Sequence, residues 1–142
     1  MIFVDNVDKE DLQRYGKLIA ANREVFPQGT NLDLVQVLDE KTIKIRTYER
    51  GIWDETLACG TGATASAAVY RITGRSKADR ITVHVRGGEL IIEILKNRLY
   101  MIGPASKVYT GKTIFYSFTF HLFLSFRNHL EIGQSKGIIL SS

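Results

Sequence analysis

The stretch Cys59-Gly60-Thr61-Gly62-Ala63-Thr64-Ala65-Ser66-Ala67-Ala68-Val69-Tyr70 decides how the chain folds. Its residues are small and uncharged, so no side of it demands water. This predicts a helix, ending near Thr73-Gly74, that is small all round and therefore buried all round. Working back from it, Arg50–Ala58 has no periodicity and reads as a loop. Thr42–Glu49 alternates Ile43, Ile45 and Thr47 against Lys44, Arg46 and Tyr48, and Leu32–Leu38 is a second strand joined to it through Asp39-Glu40-Lys41. Phe26-Pro27-Gln28-Gly29-Thr30-Asn31 is a loop by its Pro and Gly. Asp8–Asn22 carries Leu12, Tyr15, Leu18 and Ile19 at helical spacing with Asp8 as N-cap, and Met1–Val4 is a short strand. Working forward, Ile81–Val85, Leu90–Ile94 and Leu99–Ile102 are strands turned by Gly87-Gly88 and Lys96-Asn97. The expected class is α+β, a central buried helix wrapped by antiparallel strands.

The chain has 142 residues, enough for one domain with a core. An apolar fraction of 44% and a charged fraction of 24% fit a globular protein and exclude collagen-like and wholly disordered chains. The net charge of +4 comes without a block of like charges, so nucleic acid is unsupported as a partner. A single cysteine, Cys59, rules out an intrachain disulfide and a multi-cysteine zinc site, and suits a reducing compartment. Met1-Ile2-Phe3-Val4-Asp5 does not read as a secretory signal, and the expected location is the cytoplasm. The segment after residue 111 differs in character. Five of the seven Phe lie between Phe115 and Phe126, in an alternation with strand periodicity that is too short and hydroxyl-rich to span a bilayer as a helix.

Reactive groups concentrate between Glu49 and Gly62. Cys59 precedes the small-residue helix, where free N–H groups and the positive end of the dipole would lower a thiol's pKa and make it a usable acid or base, against the plain alternative of a small buried residue. Gly60-Thr61-Gly62 could hold a carboxylate on consecutive N–H groups, or simply turn the chain from strand to helix. Arg50 offers a planar fork for a carboxylate and Glu49 an acceptor for an ammonium, against the plain alternative of solvated surface. Asn31 could donate to a ligand or satisfy its own loop. His84, His121 and His129 have no metal-ligand spacing and read as structural.

Taken in order, these segments resemble diaminopimelate epimerases. The residues that carry the likeness are Thr47-Tyr48-Glu49-Arg50-Gly51, Glu55-Thr56-Leu57-Ala58-Cys59-Gly60-Thr61-Gly62-Ala63, Phe26-Pro27 through Asn31, His84-Val85-Arg86-Gly87-Gly88-Glu89-Leu90 and Met101-Ile102-Gly103-Pro104-Ala105. The resemblance covers about Ile2 to Gly111 and implies a two-lobed fold of which this chain is the C-terminal half. It implies a cofactor-independent, metal-free isomerase that interconverts LL- and meso-diaminopimelate in lysine biosynthesis, with one cysteine on each face of the reacting carbon. Cys59 then matches the second-half catalytic cysteine, and Glu49 joins it among the catalytic candidates. Gly60 and Thr61 match the backbone donors to the reacting carboxylate, while Asn31, Glu49 and Arg50 match the groups that hold the distal amino-acid end. The first half and its cysteine have no counterpart here. A homodimer or a separate N-terminal half would supply them, with diaminopimelate as the small-molecule partner and neither nucleic acid nor membrane involved. Residues 1–111 form the expected domain. Residues 112–142 form an atypical Phe-rich tail, for which a frame-shifted read-through would account. Two other readings stay open: an inactive module that binds an amino acid or a partner chain, and a related isomerase of the same fold.

Overall fold

The computed structural model describes residues 1–96 and 98–105 together with the backbone strand at 138–141. The alternation expected over 114–126 lies outside those residues. The chain forms β1 (Ile2–Phe3), a 3-10 turn (Val7–Lys9), α1 (Leu12–Ala21), β2 (Leu32–Asp39), β3 (Thr42–Glu49), β4 (Asp54–Glu55), α2 (Gly60–Ile72), β5 (Arg80–Val85), β6 (Gly88–Leu95), β7 (Arg98–Gly103) and β8 (Ile138–Ser141). No helix among the described residues is long and apolar enough to cross a membrane.

The class is α+β, and the sheet is mixed. Strands run β1-β2-β3-β5-β6-β7-β8, with β4 paired to β3. β2–β3, β5–β6 and β6–β7 are antiparallel, whereas β1–β2 and β3–β5 are parallel. The wholly antiparallel wrapping expected from the short turns therefore fails at two places. In both, a helix intervenes between the paired strands, α1 before β2 and α2 before β5, and a crossover through a helix returns the chain in the same direction. α1 also starts later than expected. Asp11, not Asp8, is its N-cap and accepts from the Arg14 N–H at 3.0 Å, while Glu10 is extended.

Strand alternation divides the core between the two faces of the sheet. Leu32, Leu34 and Tyr48 join Val7 and Leu12 on the α1 side. Gly16 on α1 lets that helix sit directly on the Tyr48 ring, because a Cβ there would lie 2.3 Å from Tyr48 Cγ. Val35, Ile43, Ile45, Ile81, Val83 and Ile92 pack with Ala63, Ala67 and Tyr70 on the α2 side. Burial of α2 is one-sided, which corrects the expectation of burial all round. Gly62, Ala63, Ser66, Ala67 and Tyr70 are covered, whereas Thr61, Ala65 and Ile72 are exposed, Ile72 by 81%. Small residues allow close packing on every side of a helix, but the described residues supply one layer only.

Candidate active site

Two strand ends and one helix start meet where the α2 face of the sheet turns from apolar to polar. On β2 the sequence along that face runs from Val35 to Asp33, and Asn31 follows just before the strand. On β3 the matching run is Ile45, Thr47 and Glu49, with Asp33 paired opposite Thr47 and Val35 opposite Ile45. Because side chains alternate, two polar residues per strand are carried to the same face at the same end.

Cys59 caps α2 there. Its backbone is extended, and its Sγ accepts from the Gly62 N–H at 3.4 Å. Thr61 Oγ1 lies 3.4 Å from the sulfur, and Asn31 Nδ2 donates to it at 3.7 Å. The Ala63 N–H donates to the Cys59 carbonyl at 2.9 Å. Gly60 and Thr61 contribute the first two N–H groups of the helix, which have no intrahelical acceptor. The thiol is buried, at 5% residue exposure.

That burial reverses one expectation. Desolvation pushes the Cys59 thiol above its ordinary value, and the neighbouring Glu49 carboxylate pushes it further, while Thr61 and the Gly62 N–H pull it down. The balance is upward. A helix N-terminus lowers a thiol's pKa when the thiolate is the better-solvated form; here water is largely excluded and a carboxylate stands beside the sulfur. That direction favours the thiol over the thiolate.

Asn31 links the thiol to the neighbouring loop, since its Oδ1 accepts the Arg50 N–H at 2.9 Å. Arg50 Nη1 donates to the Gln28 carbonyl at 3.0 Å, which ties the two loops together. Between them lies a cleft of about 440 Å³, walled by Gly29, Asn31 and Arg50 from the loops, Asp33 from β2, and Thr61, Gly62 and Ala65 from α2. The structure thus gathers Asn31, Glu49, Gly60 and Thr61 around Cys59, with Arg50 on the cleft reached through Asn31. His84 stays apart, 3.7 Å from Glu89 across its hairpin.

Two acidic residues lie outside the candidate site residues read from sequence. Glu55 is held by Arg46 at 2.7 and 2.8 Å and by Arg86 at 3.2 Å, and Arg46 also donates to the Val7 and Glu10 carbonyls. The Arg46 bond, aided by Arg86, keeps the Glu55 carboxyl below its ordinary pKa. With Gly87 N–H donating to the Leu57 carbonyl at 2.6 Å and Thr56 N–H to the Thr47 carbonyl at 3.1 Å, this network fixes the loop leading into Cys59. Asp33 is the second. Its Oδ1 accepts from Thr47 Oγ1 at 2.7 Å and lies so close to α2 that a Cβ on Gly62 would stand 2.4 Å from it. Its signal was a charged residue at an inward position of a strand, in register with Val35.

A family model for diaminopimelate epimerase matches residues 1–108. The chain belongs to that family. A diaminopimelate epimerase of Methanocella arvoryzae is 44% identical over 112 residues, covering 79% of this chain and 39% of that protein. The Aquifex aeolicus diaminopimelate epimerase is 42% identical over 113 residues, covering 77% and 40%. The chain therefore spans about two fifths of the length of these relatives. Among solved structures, a phenazine biosynthesis PhzC/PhzF protein from Clostridium difficile superposes with a TM-score of 0.54 at 17% identity, over 72% of this chain and 36% of that one. A PhzF-family protein from Enterococcus faecalis gives 0.54 at 12% identity, over 70% and 35%. At such identities the likeness is one of fold.

Proposed function

We propose that this member of the diaminopimelate epimerase family supplies one proton-transfer face of the LL- to meso-diaminopimelate reaction, with Cys59 as the acid or base. The observation that carries this reading is a buried thiol at a helix N-terminus, touched by Asn31, Thr61 and Gly62 and flanked by Glu49, beside a cleft that contains Arg50. Inversion at a carbon needs a base on one face and an acid on the other. A thiolate on the far side takes the α-proton, the electron pair of the C–H bond stays on the substrate, and the Cys59 thiol returns a proton to the near face. The reverse direction exchanges their roles. The Gly60 and Thr61 N–H groups suit the substrate carboxylate on which charge accumulates. Arg50 suits the distal carboxylate, Asn31 is placed to bridge the two ends, and Glu49 suits an ammonium group.

The arrangement we infer is two-lobed, with residues 1–111 as the C-terminal lobe, 112–142 as an added tail, and α2 central once a second lobe covers Thr61, Ala65 and Ile72. A second copy of this chain or a separate N-terminal half would bring the opposing thiol, no cofactor or metal enters the chemistry, and the cytoplasm is the fitting location. A second reading, which the binding groups Glu49, Arg50 and Gly60 around a single thiol fit equally well, is a module that binds the amino acid without turning it over.

Incubation of the purified chain with LL-diaminopimelate in deuterated water, beside Cys59→Ala, separates the two. Deuterium entering the α-position with inversion, and only with Cys59, is expected if two copies face each other across the substrate; exchange with retention identifies Cys59 as a single working base. Exchange that persists in Cys59→Ala excludes the thiol. No exchange at any protein concentration, with ligand still bound, leaves the binding module.

A further inference from the structure

The cleft beside Cys59 holds one acidic and one basic side chain, Asp33 and Arg50, and among the described residues neither is in an ion pair. Their environments differ. Arg50 is exposed, whereas Asp33 is 7% exposed, sealed between Thr47 on β3 and Gly62 on α2. A carboxylate can accept about four hydrogen bonds, and the Thr47 hydroxyl supplies one. A buried carboxylate so thinly supplied is costly unless a cation or several donors complete it. The helix N-terminus contributes a favourable field, but its Gly62 N–H is committed to the Cys59 sulfur and its Ala63 N–H to the Cys59 carbonyl. Asn31 offers no alternative acceptor, because its Oδ1 takes the Arg50 N–H.

We propose that Asp33 determines substrate specificity by receiving an ammonium group, so that Asp33 and Arg50 together read the ammonium and the carboxylate of one amino-acid end. This rests on diaminopimelate as substrate and adds a residue to its recognition. A guanidinium fork recognises a carboxylate wherever it finds one, and so accepts a dicarboxylic acid lacking the second amine equally well. Glu49, the other acceptor suited to an ammonium, is turned to the thiol and does not line this cleft, so Asp33 supplies the discrimination. Because Asp33 is buried, a ligand without the ammonium leaves its carboxylate unpaired, and a site that loses its charged partner rejects the analogue strongly. Gly62 serves the same end, since any side chain there would displace the carboxylate from the cleft wall.

The test compares binding of LL-diaminopimelate and 2-aminopimelate, which has both carboxylates but one amine, to the full chain by calorimetry. The wild-type chain is expected to prefer diaminopimelate by about tenfold or more. Asp33→Asn keeps the size of the side chain and an acceptor for Thr47, and is expected to bring the two ligands within about twofold by weakening diaminopimelate alone. A preference that survives in a folded Asp33→Asn chain overturns the proposal and leaves the substrate reading standing. So does the lack of any preference in the wild-type chain, which requires no variant to fold. Failure of the wild-type chain to bind diaminopimelate overturns the substrate reading and this proposal with it.

Discussion

The two ends of α2 rest on the same face of the same sheet and are built for opposite purposes. At one end Ala63, Ala67 and Tyr70 close over Val35, Ile43, Ile45, Ile81, Val83 and Ile92, and the Tyr70 hydroxyl is satisfied by the Asp39 carbonyl at 2.9 Å. At the other, Cys59 and Gly62 close over Asp33, Thr47, Asn31 and Glu49. Both ends are largely dry. The apolar end converts that dryness into stability, since buried carbon gains by leaving water. The polar end converts it into chemical leverage, because charges and titratable groups influence one another more strongly when water is excluded.

If this division is right, the apolar end should dominate stability. Tyr70→Ala removes a fully buried ring together with its hydroxyl bond, and should cost roughly 3–5 kcal/mol of unfolding free energy, read from urea denaturation. A cost under about 1 kcal/mol would mean that the helix is not anchored there.

The next effect inverts a general rule. Gly to Ala inside a helix ordinarily stabilises by about 1 kcal/mol. At Gly62 the new Cβ would meet Asp33 Oδ1 at 2.4 Å, and the carboxylate is pinned by Thr47, so Gly62→Ala should destabilise by about 1–3 kcal/mol. Gly60 is the control. There a Cβ meets the flexible end of Met101 at 3.1 Å, and Gly60→Ala should be nearly neutral. Equal effects of the two substitutions in thermal unfolding would erase the distinction between them.

The same contrast explains which features were legible beforehand. Ile43, Ile45 and Thr47 announced a strand because they alternate with Lys44 and Arg46, and the small residues after Cys59 announced a packed helix. Pairing direction was hidden, because strand periodicity is the same in parallel and antiparallel ladders and only the crossover through α2 makes β3–β5 parallel. β4 was hidden because two residues, Asp54 and Glu55, carry no period. The cluster of Cys59 with Glu49, Arg50 and Gly60 could be noticed from residue type, whereas Asp33 offered only a charge at an inward strand position: its importance lies in register with Thr47 and in contact with Gly62, which are properties of the assembled sheet and helix. The direction of the thiol's titration was misread for the same reason. The helix N-terminus is local and visible, while burial and the approach of Glu49 are tertiary.

The subtlest test concerns that titration. Cys59 is the chain's one thiol, so its alkylation rate by iodoacetamide reports a single site. Thiolate reacts and thiol does not, so the rate should climb only as pH rises past the ordinary value of 9.0, because burial first and Glu49 second hold the proton on sulfur. Glu49→Gln removes the second cause and leaves the first. Its profile should shift to lower pH without returning to that of a fully exposed thiol, and its rate at pH 8 should exceed the wild-type rate. The stability linkage has a matching sign. A folded-state pKa raised above the unfolded one stabilises the native chain below the unfolded value, and that stabilisation is lost as pH rises through the folded value; Glu49→Gln should narrow this window from its upper side. An unmoved profile in the variant would place the Glu49 carboxylate outside the thiol's field. A wild-type midpoint below the ordinary value would instead show that the amides opening α2 outweigh both causes.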